Sequence, residues 1–167
     1  SDHTAQLWNA ATGQPLGAPL LHKSEVLFAC FSPDGQKLLT AGREQNSYLW
    51  DVHAEIPRRV ELVHPAVSGI AVFSPREPLV ITNCSDNSVR FWELPSGKPM
   101  EPAISHPGAT RCLPFSADGK LLFTGGASRI AHQGHAHCRA RALGVVVRLG
   151  RERGGELRAC LAVRKRP

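Results

Sequence analysis

The chain has 167 residues, of which 42% are hydrophobic and 20% charged. That size and balance suit about one globular domain and exclude a chain too polar to bury a core. The net charge of +6 is unevenly placed: residues 1–128 carry 10 Lys and Arg against 12 Asp and Glu, a net of −2, and residues 129–167 carry 10 against 2, a net of +8. No apolar stretch approaches the roughly 20 residues of a membrane span. The opening Ser1-Asp2-His3-Thr4 shows no basic-then-apolar leader pattern and no initiator Met. Cys30, Cys84, Cys112, Cys138 and Cys160 are odd in number, and none stand at C-x-x-C spacing. They read as reduced thiols, some buried as small hydrophobes, which suits a cytoplasmic setting.

Asp2 to Trp8 reads as the third strand of a unit whose first two strands are absent. Val26 to Phe31 is a short, apolar, β-leaning run, as expected of a strand buried on both faces. Ser32-Pro33-Asp34-Gly35 follows, with Pro and Gly where a type I turn favours them. Lys37 to Ala41 and Tyr48 to Asp51 make two more strands, and the alternating Arg59 to Val63 makes a fourth, more exposed one. The next unit repeats this with strands at Val67 to Phe73, Leu79 to Asn83, Val89 to Trp92 and near Met100 to Ile104. Its first turn, Ser74-Pro75-Arg76-Glu77-Pro78, lacks the Gly, and Pro78 stiffens the entry to the following strand. A third unit begins with Arg111 to Phe115, weakened by Pro114, then Ser116-Ala117-Asp118-Gly119 and a strand from Leu121 to Thr124.

These units share one register. Trp8, Trp50 and Trp92 are 42 residues apart, and so are Phe31, Phe73 and Phe115, each followed by Ser. His22, His64 and His106 keep the step, as do Thr40, Thr82 and Thr124. A four-stranded unit of about 40–45 residues is a propeller blade, and no sustained helical stripe offers a helical repeat instead. The fold class is therefore all-β: a partial β-propeller of four-stranded antiparallel blades. Its parts are the end of a truncated blade (1–22), two blades (23–64 and 65–106), the start of a third (107–128) and a basic tail (129–167).

The His before the first strand, the Phe-Ser-Pro-Asp-Gly, the Ser/Thr in the second strand, the Asp in the next turn and Leu49-Trp50-Asp51 resemble the WD-repeat family. Thr4 to Leu16 is similar in wording to bacterial members, in some of which the repeats follow a serine/threonine protein kinase domain. The resemblance covers about residues 1–128 and implies a hydrogen-bonded network in each blade. A large indole fills the gap between strands, its N–H needs an acceptor, a hydroxyl supplies one, and the His bridges that hydroxyl to the turn carboxylate. The second unit carries the full set, His64, Thr82, Asp86 and Trp92. The first has His22, Thr40 and Trp50 with Glu44 in the Asp position, a longer side chain expected to miss the geometry. The third has His106 and Thr124, then Ser128 and Gly134 where Asp and Trp would stand.

His, Thr and Asp together also suggest a catalytic triad, but a catalytic set has no need to recur every 42 residues, and a structural role is expected. No cofactor is implied. His132, His135, His137 and Cys138 are dense enough to suggest zinc but lack paired ligand spacing, and metal binding is not expected. The basic tail offers phosphate attraction without a Phe, Tyr or Trp for base stacking, so nucleic acid is the lesser reading. The register stops near Ala127 just as composition turns to Arg, Ala, Gly, Val and His, which is what a shifted reading frame of GC-rich DNA produces. The tail is thus expected to be disordered or out of frame.

The resemblance implies a non-catalytic scaffold for protein–protein interaction, as the regulatory or sensor region of a larger signalling protein. Its partners would be other proteins or other domains of a parent chain, not a membrane. Among residues flanking the strands, Arg43 and Arg111 are the candidate contacts, because Arg is favoured at hot spots. Open blade edges are expected to self-associate.

Overall fold

The computed structural model describes residues 2–54, 56, 58–106, 108–128, 141–151 and 157–162. They form fourteen strands: β1 (Thr4–Trp8), β2 (Pro15–Leu21), β3 (Val26–Phe31), β4 (Lys37–Gly42), β5 (Asn46–Asp51), β6 (Arg59–Val63), β7 (Ser68–Phe73), β8 (Leu79–Cys84), β9 (Ser88–Glu93), β10 (Lys98–Ser105), β11 (Ala109–Cys112), β12 (Leu121–Ser128), β13 (Arg141–Arg151) and β14 (Leu157–Ala162). No helix occurs among the described residues. Consecutive strands pair into one two-stranded sheet, β1-β2, and three four-stranded sheets, β3-β4-β5-β6, β7-β8-β9-β10 and β11-β12-β13-β14. Every pairing is antiparallel. The molecule is all-β, a partial propeller of four-stranded antiparallel blades.

The turns explain why the strands fold back so tightly. In Ser32-Pro33-Asp34-Gly35 the Ser32 hydroxyl donates to Asp34 at 2.5 Å and accepts from the Lys37 N–H at 2.9 Å. The Gly35 N–H closes on the Ser32 carbonyl at 2.9 Å, and Gly35 sits at φ 71°, where an L side chain would strain. Ser116 and Asp118 repeat the arrangement. In the Gly-less second turn, Ser74 accepts from the Glu77 N–H instead.

Hydrophobic packing lies between successive sheets. Leu20, Ala5 and Leu7 pack on Leu38, Tyr48 and Trp50. Leu39, Ala41, Leu49 and Leu62 meet Ala71, Phe73, Val80 and Trp92. Leu79, Ile81, Val89 and Phe91 meet Leu113 and Leu122. Each blade is therefore buried by its neighbour rather than by itself, the arrangement expected of a repeat array.

Three features depart from the sequence expectation. First, β3 is not buried on both faces: it alternates, with Leu27 62% and Phe31 54% exposed. The preceding sheet has two strands, so nothing among the described residues covers that side of β3. Second, the third unit's opening strand ends at Cys112, and beyond Pro114 only an isolated bridge joins Phe115 to Leu122. Proline cannot donate to the ladder, which accounts for the break. Third, the basic tail is not wholly outside the fold. β13 pairs with β12 over eight positions, and β14 pairs with β13. The β-branched run Val145-Val146-Val147 and the apolar Leu157 to Ala162 favour strands despite the surrounding Arg and Gly.

Candidate functional site: the interblade clamps

In the second blade, Trp92 Nε1–H donates to Thr82 Oγ1 at 2.8 Å, and Thr82 Oγ1 lies 2.8 Å from His64 Nε2. His64 Nδ1 lies 3.0 Å from the Gln45 carbonyl, on the β4–β5 turn of the preceding blade. A carbonyl can only accept, so Nδ1 carries the proton and the bare Nε2 accepts from the Thr82 hydroxyl. The proton chain then runs from indole to hydroxyl to imidazole to carbonyl, with each of these contacts satisfied by a neutral imidazole. His64, Thr82 and Trp92 are all buried. Burial pushes the His64 pKa down to about 4, and Arg90 adds to the shift; the Gln45 and Leu62 backbone contacts and the Asp86 charge oppose it.

Asp86 takes no part in that chain, and the expectation that His64 bridges to it is corrected. Both ring nitrogens of His64 are already committed. The Asp86 carboxylate accepts from the Ser88 N–H at 3.0 Å, from the Ser88 hydroxyl at 2.5 Å and from the Arg90 guanidinium at 3.2 Å. Burial raises its pKa, but the Ser88 bonds and Arg90 outweigh that and hold it below the ordinary value. Asp86 thus shapes its own β8–β9 turn.

The first blade has the same residues in a different state. Trp50 Nε1–H donates to Thr40 Oγ1 at 2.8 Å, but His22 Nε2 is buried with no hydrogen-bond partner. His22 Nδ1 approaches Glu44 Oε1 to 3.5 Å, while the other oxygen of Glu44 accepts from the Tyr48 hydroxyl at 2.8 Å. Burial lowers the His22 pKa against the pull of Glu44, so the contact joins a neutral ring to a carboxylate. Burial and the Glu44 bond raise the Tyr48 phenol to about 12. Packing compensates for the missing bond. The His22 ring stands edge-on to Tyr48 at 5.1 Å, and the Arg59 guanidinium caps the Tyr48 ring at 4.6 Å.

In the third unit, His106 Nδ1 bonds the Gly108 carbonyl at 2.9 Å, and His106 Nε2 is buried without a partner among the described residues. Thr124 is fully buried in β12. Gly134 and the His132–Cys138 cluster lie outside the described residues. Among the described residues, no group of three or more His, Cys, Asp and Glu could hold a metal ion.

Several contacts between blades were not visible in the repeat. The Asn83 Oδ1 accepts from the Ile70 N–H at 2.5 Å, and its Nδ2 donates to the Thr110 carbonyl at 2.5 Å, tying β7 and β8 to β11. Ser47 and Ser68 hydroxyls meet at 2.8 Å between the first and second blades. Asn83 stands in register with Ala41 and Gly125, so the 42-residue period gives no signal for it. The candidate contact residues do not form one site. Arg43 is exposed beyond β4 and ion-paired with Glu25 at 3.2 Å, while Arg111 is exposed on β11 in another sheet.

Consecutive antiparallel four-stranded sheets, clamped by an inward-facing His, Thr and Trp, define a repeat scaffold of propeller blades. The family model for the WD domain, G-beta repeat, matches residues 13–51 and 58–93, and through these the chain belongs to the WD-repeat family. Each match runs from the last strand of one sheet through the first three of the next, so it spans a clamp and the interface it closes. No curated protein matches the chain. WD repeats generally mediate protein–protein interaction and are generally non-enzymatic.

Proposed function

We propose that this chain is a protein-binding scaffold serving as the regulatory or sensor region of a larger signalling protein. One observation supports the reading above the others: the residues that look chemical, His64, Thr82 and Trp92, are buried and bonded to one another, with no polar atom left for a substrate. What the blades offer to a partner is exposed turns, including Lys23, Arg43, Gln45, Ser85 and Asn87. The free thiols at Cys30, Cys84 and Cys112 suit the reducing cytoplasm in which we place it.

Photo-crosslinking from position 43 or 111 of the chain, in the cells that make it, tests this. A recurrent protein partner, and crosslinks reduced by Arg43→Glu, are the expected result. Salt-dependent DNA binding that disappears when residues 129–167 are deleted, without a protein crosslink, would replace this reading with a nucleic-acid-associated one.

A further inference from the structure

The two ends of the strand order hold complementary halves of one clamp. β1 carries Trp8, in register with Trp50 and Trp92, yet Trp8 is 61% exposed while the other two are each 3% exposed. No Thr-bearing strand lies beside β1, whose paired neighbour is β2 alone. At the other end, β12 carries Thr124 and the preceding loop carries His106, whose Nε2 is buried and unpartnered among the described residues.

The register says what each half lacks. In the first blade Leu38 stands opposite Trp50, and in the second Val80 stands opposite Trp92. The matching position in β12 is Leu122, and it stands opposite Val147 of β13. Valine has no N–H to offer a hydroxyl. β13 therefore closes the edge of β12 without supplying the indole donor that the other two sheets have.

We propose that two copies of this chain associate head to tail, β1 and β2 of one copy replacing β13 and β14 beside β11 and β12 of the other. Trp8 then faces Leu122 and donates its indole N–H to Thr124, as Trp92 does to Thr82. Gln6 falls opposite Thr124, the place that Tyr48 takes opposite Thr40. The composite blade has four strands and a His, a Thr and a Trp, with one half of that set from each copy.

The same step covers apolar surface. Phe73 is 9% exposed because the preceding blade packs on it, and its counterpart Phe31 is 54% exposed. In the composite, β11 and β12 of the second copy take up that position before β3, where Phe31 and Leu27 stand open. The contact is heterologous, so association continues beyond the dimer unless the ring closes. It concerns a second copy and is independent of the partner held by the exposed turns.

The test uses the full 167-residue chain in three forms, wild type, Trp8→Ala and Thr124→Val, followed by light scattering over a range of concentration. Wild type associates beyond a dimer. Each variant alone associates at least about tenfold more weakly, since every junction needs both residues. An equimolar mixture of the two variants forms dimers and stops there: Trp8 of the Thr124→Val chain meets Thr124 of the Trp8→Ala chain, and both remaining ends are broken. Thr124→Ser, which keeps the hydroxyl, restores assembly and guards against a folding defect at this buried position. A monomeric wild type, association indifferent to both substitutions, or a mixture that behaves as the sum of its parts would overturn the proposal.

Discussion

Trp8 and Phe31 can be set beside Trp92 and Phe73, the same residue types at the same places in the repeat. The first pair is 61% and 54% exposed, the second 3% and 9%. Local sequence is alike in both regions, and both form strands. What differs is the neighbouring sheet: β8 and the blade before it enclose the second pair, while β1 and β3 face the two-stranded end. The repeat writes the strand and its turn, and the adjacent blade decides whether the side chain is core or surface.

Truncating the two indoles gives the sharpest contrast. Trp92→Ala opens a cavity between the first and second blades and leaves Thr82 without its donor, at a cost of about 3–5 kcal/mol. Trp8→Ala at low concentration changes stability by about 0.5 kcal/mol or less, because the side chain is already in solvent. Urea unfolding of the two variants measures both, and similar losses would contradict the contrast.

Acid should act mainly through the buried clamp. An unfolded His64 takes up its proton near pH 6.5, and the folded one near about 4. Between those values the unfolded chain binds more protons, so stability falls as pH drops from 6.5 toward 4 and levels off below. The loss from this group is up to about 3 kcal/mol. Melts at a series of pH values check it: His64→Asn should flatten the slope in that window, whatever it does to stability at pH 7. The smallest effect belongs to the surface: Arg43→Ala breaks an exposed ion pair and costs less than about 1 kcal/mol in the same melts.

Much of this fold could be read from the 42-residue step, because strand, turn and indole are local or strictly periodic features. The Trp92–Thr82–His64 contacts follow from it. Asp86 was misassigned because Ser88 and Arg90, two and four residues along the chain, compete for its carboxylate at short range, while the imidazole finds a carbonyl on another blade. Asn83 and the Gln45 carbonyl act across blade interfaces, where the period carries no information. β2 was not singled out because Pro15 and Pro19 obscure its pattern, and β13 because Arg and Gly surround its three valines. The exposure of β3 depends on a neighbouring sheet and not on its own residues.

The central claim is that the His–Thr–Trp set is a clamp between blades, complete in the second blade and incomplete in the first. Thr82→Val and Thr40→Val, compared by urea unfolding at pH 7, test it most directly. Thr82→Val strands both the Trp92 N–H and the His64 Nε2, whereas Thr40→Val strands the Trp50 N–H alone, since His22 Nε2 has no partner to lose. With each buried orphan costing about 1–3 kcal/mol, the account predicts a clearly larger loss for Thr82→Val. Equal losses, or a larger one at Thr40, would contradict it.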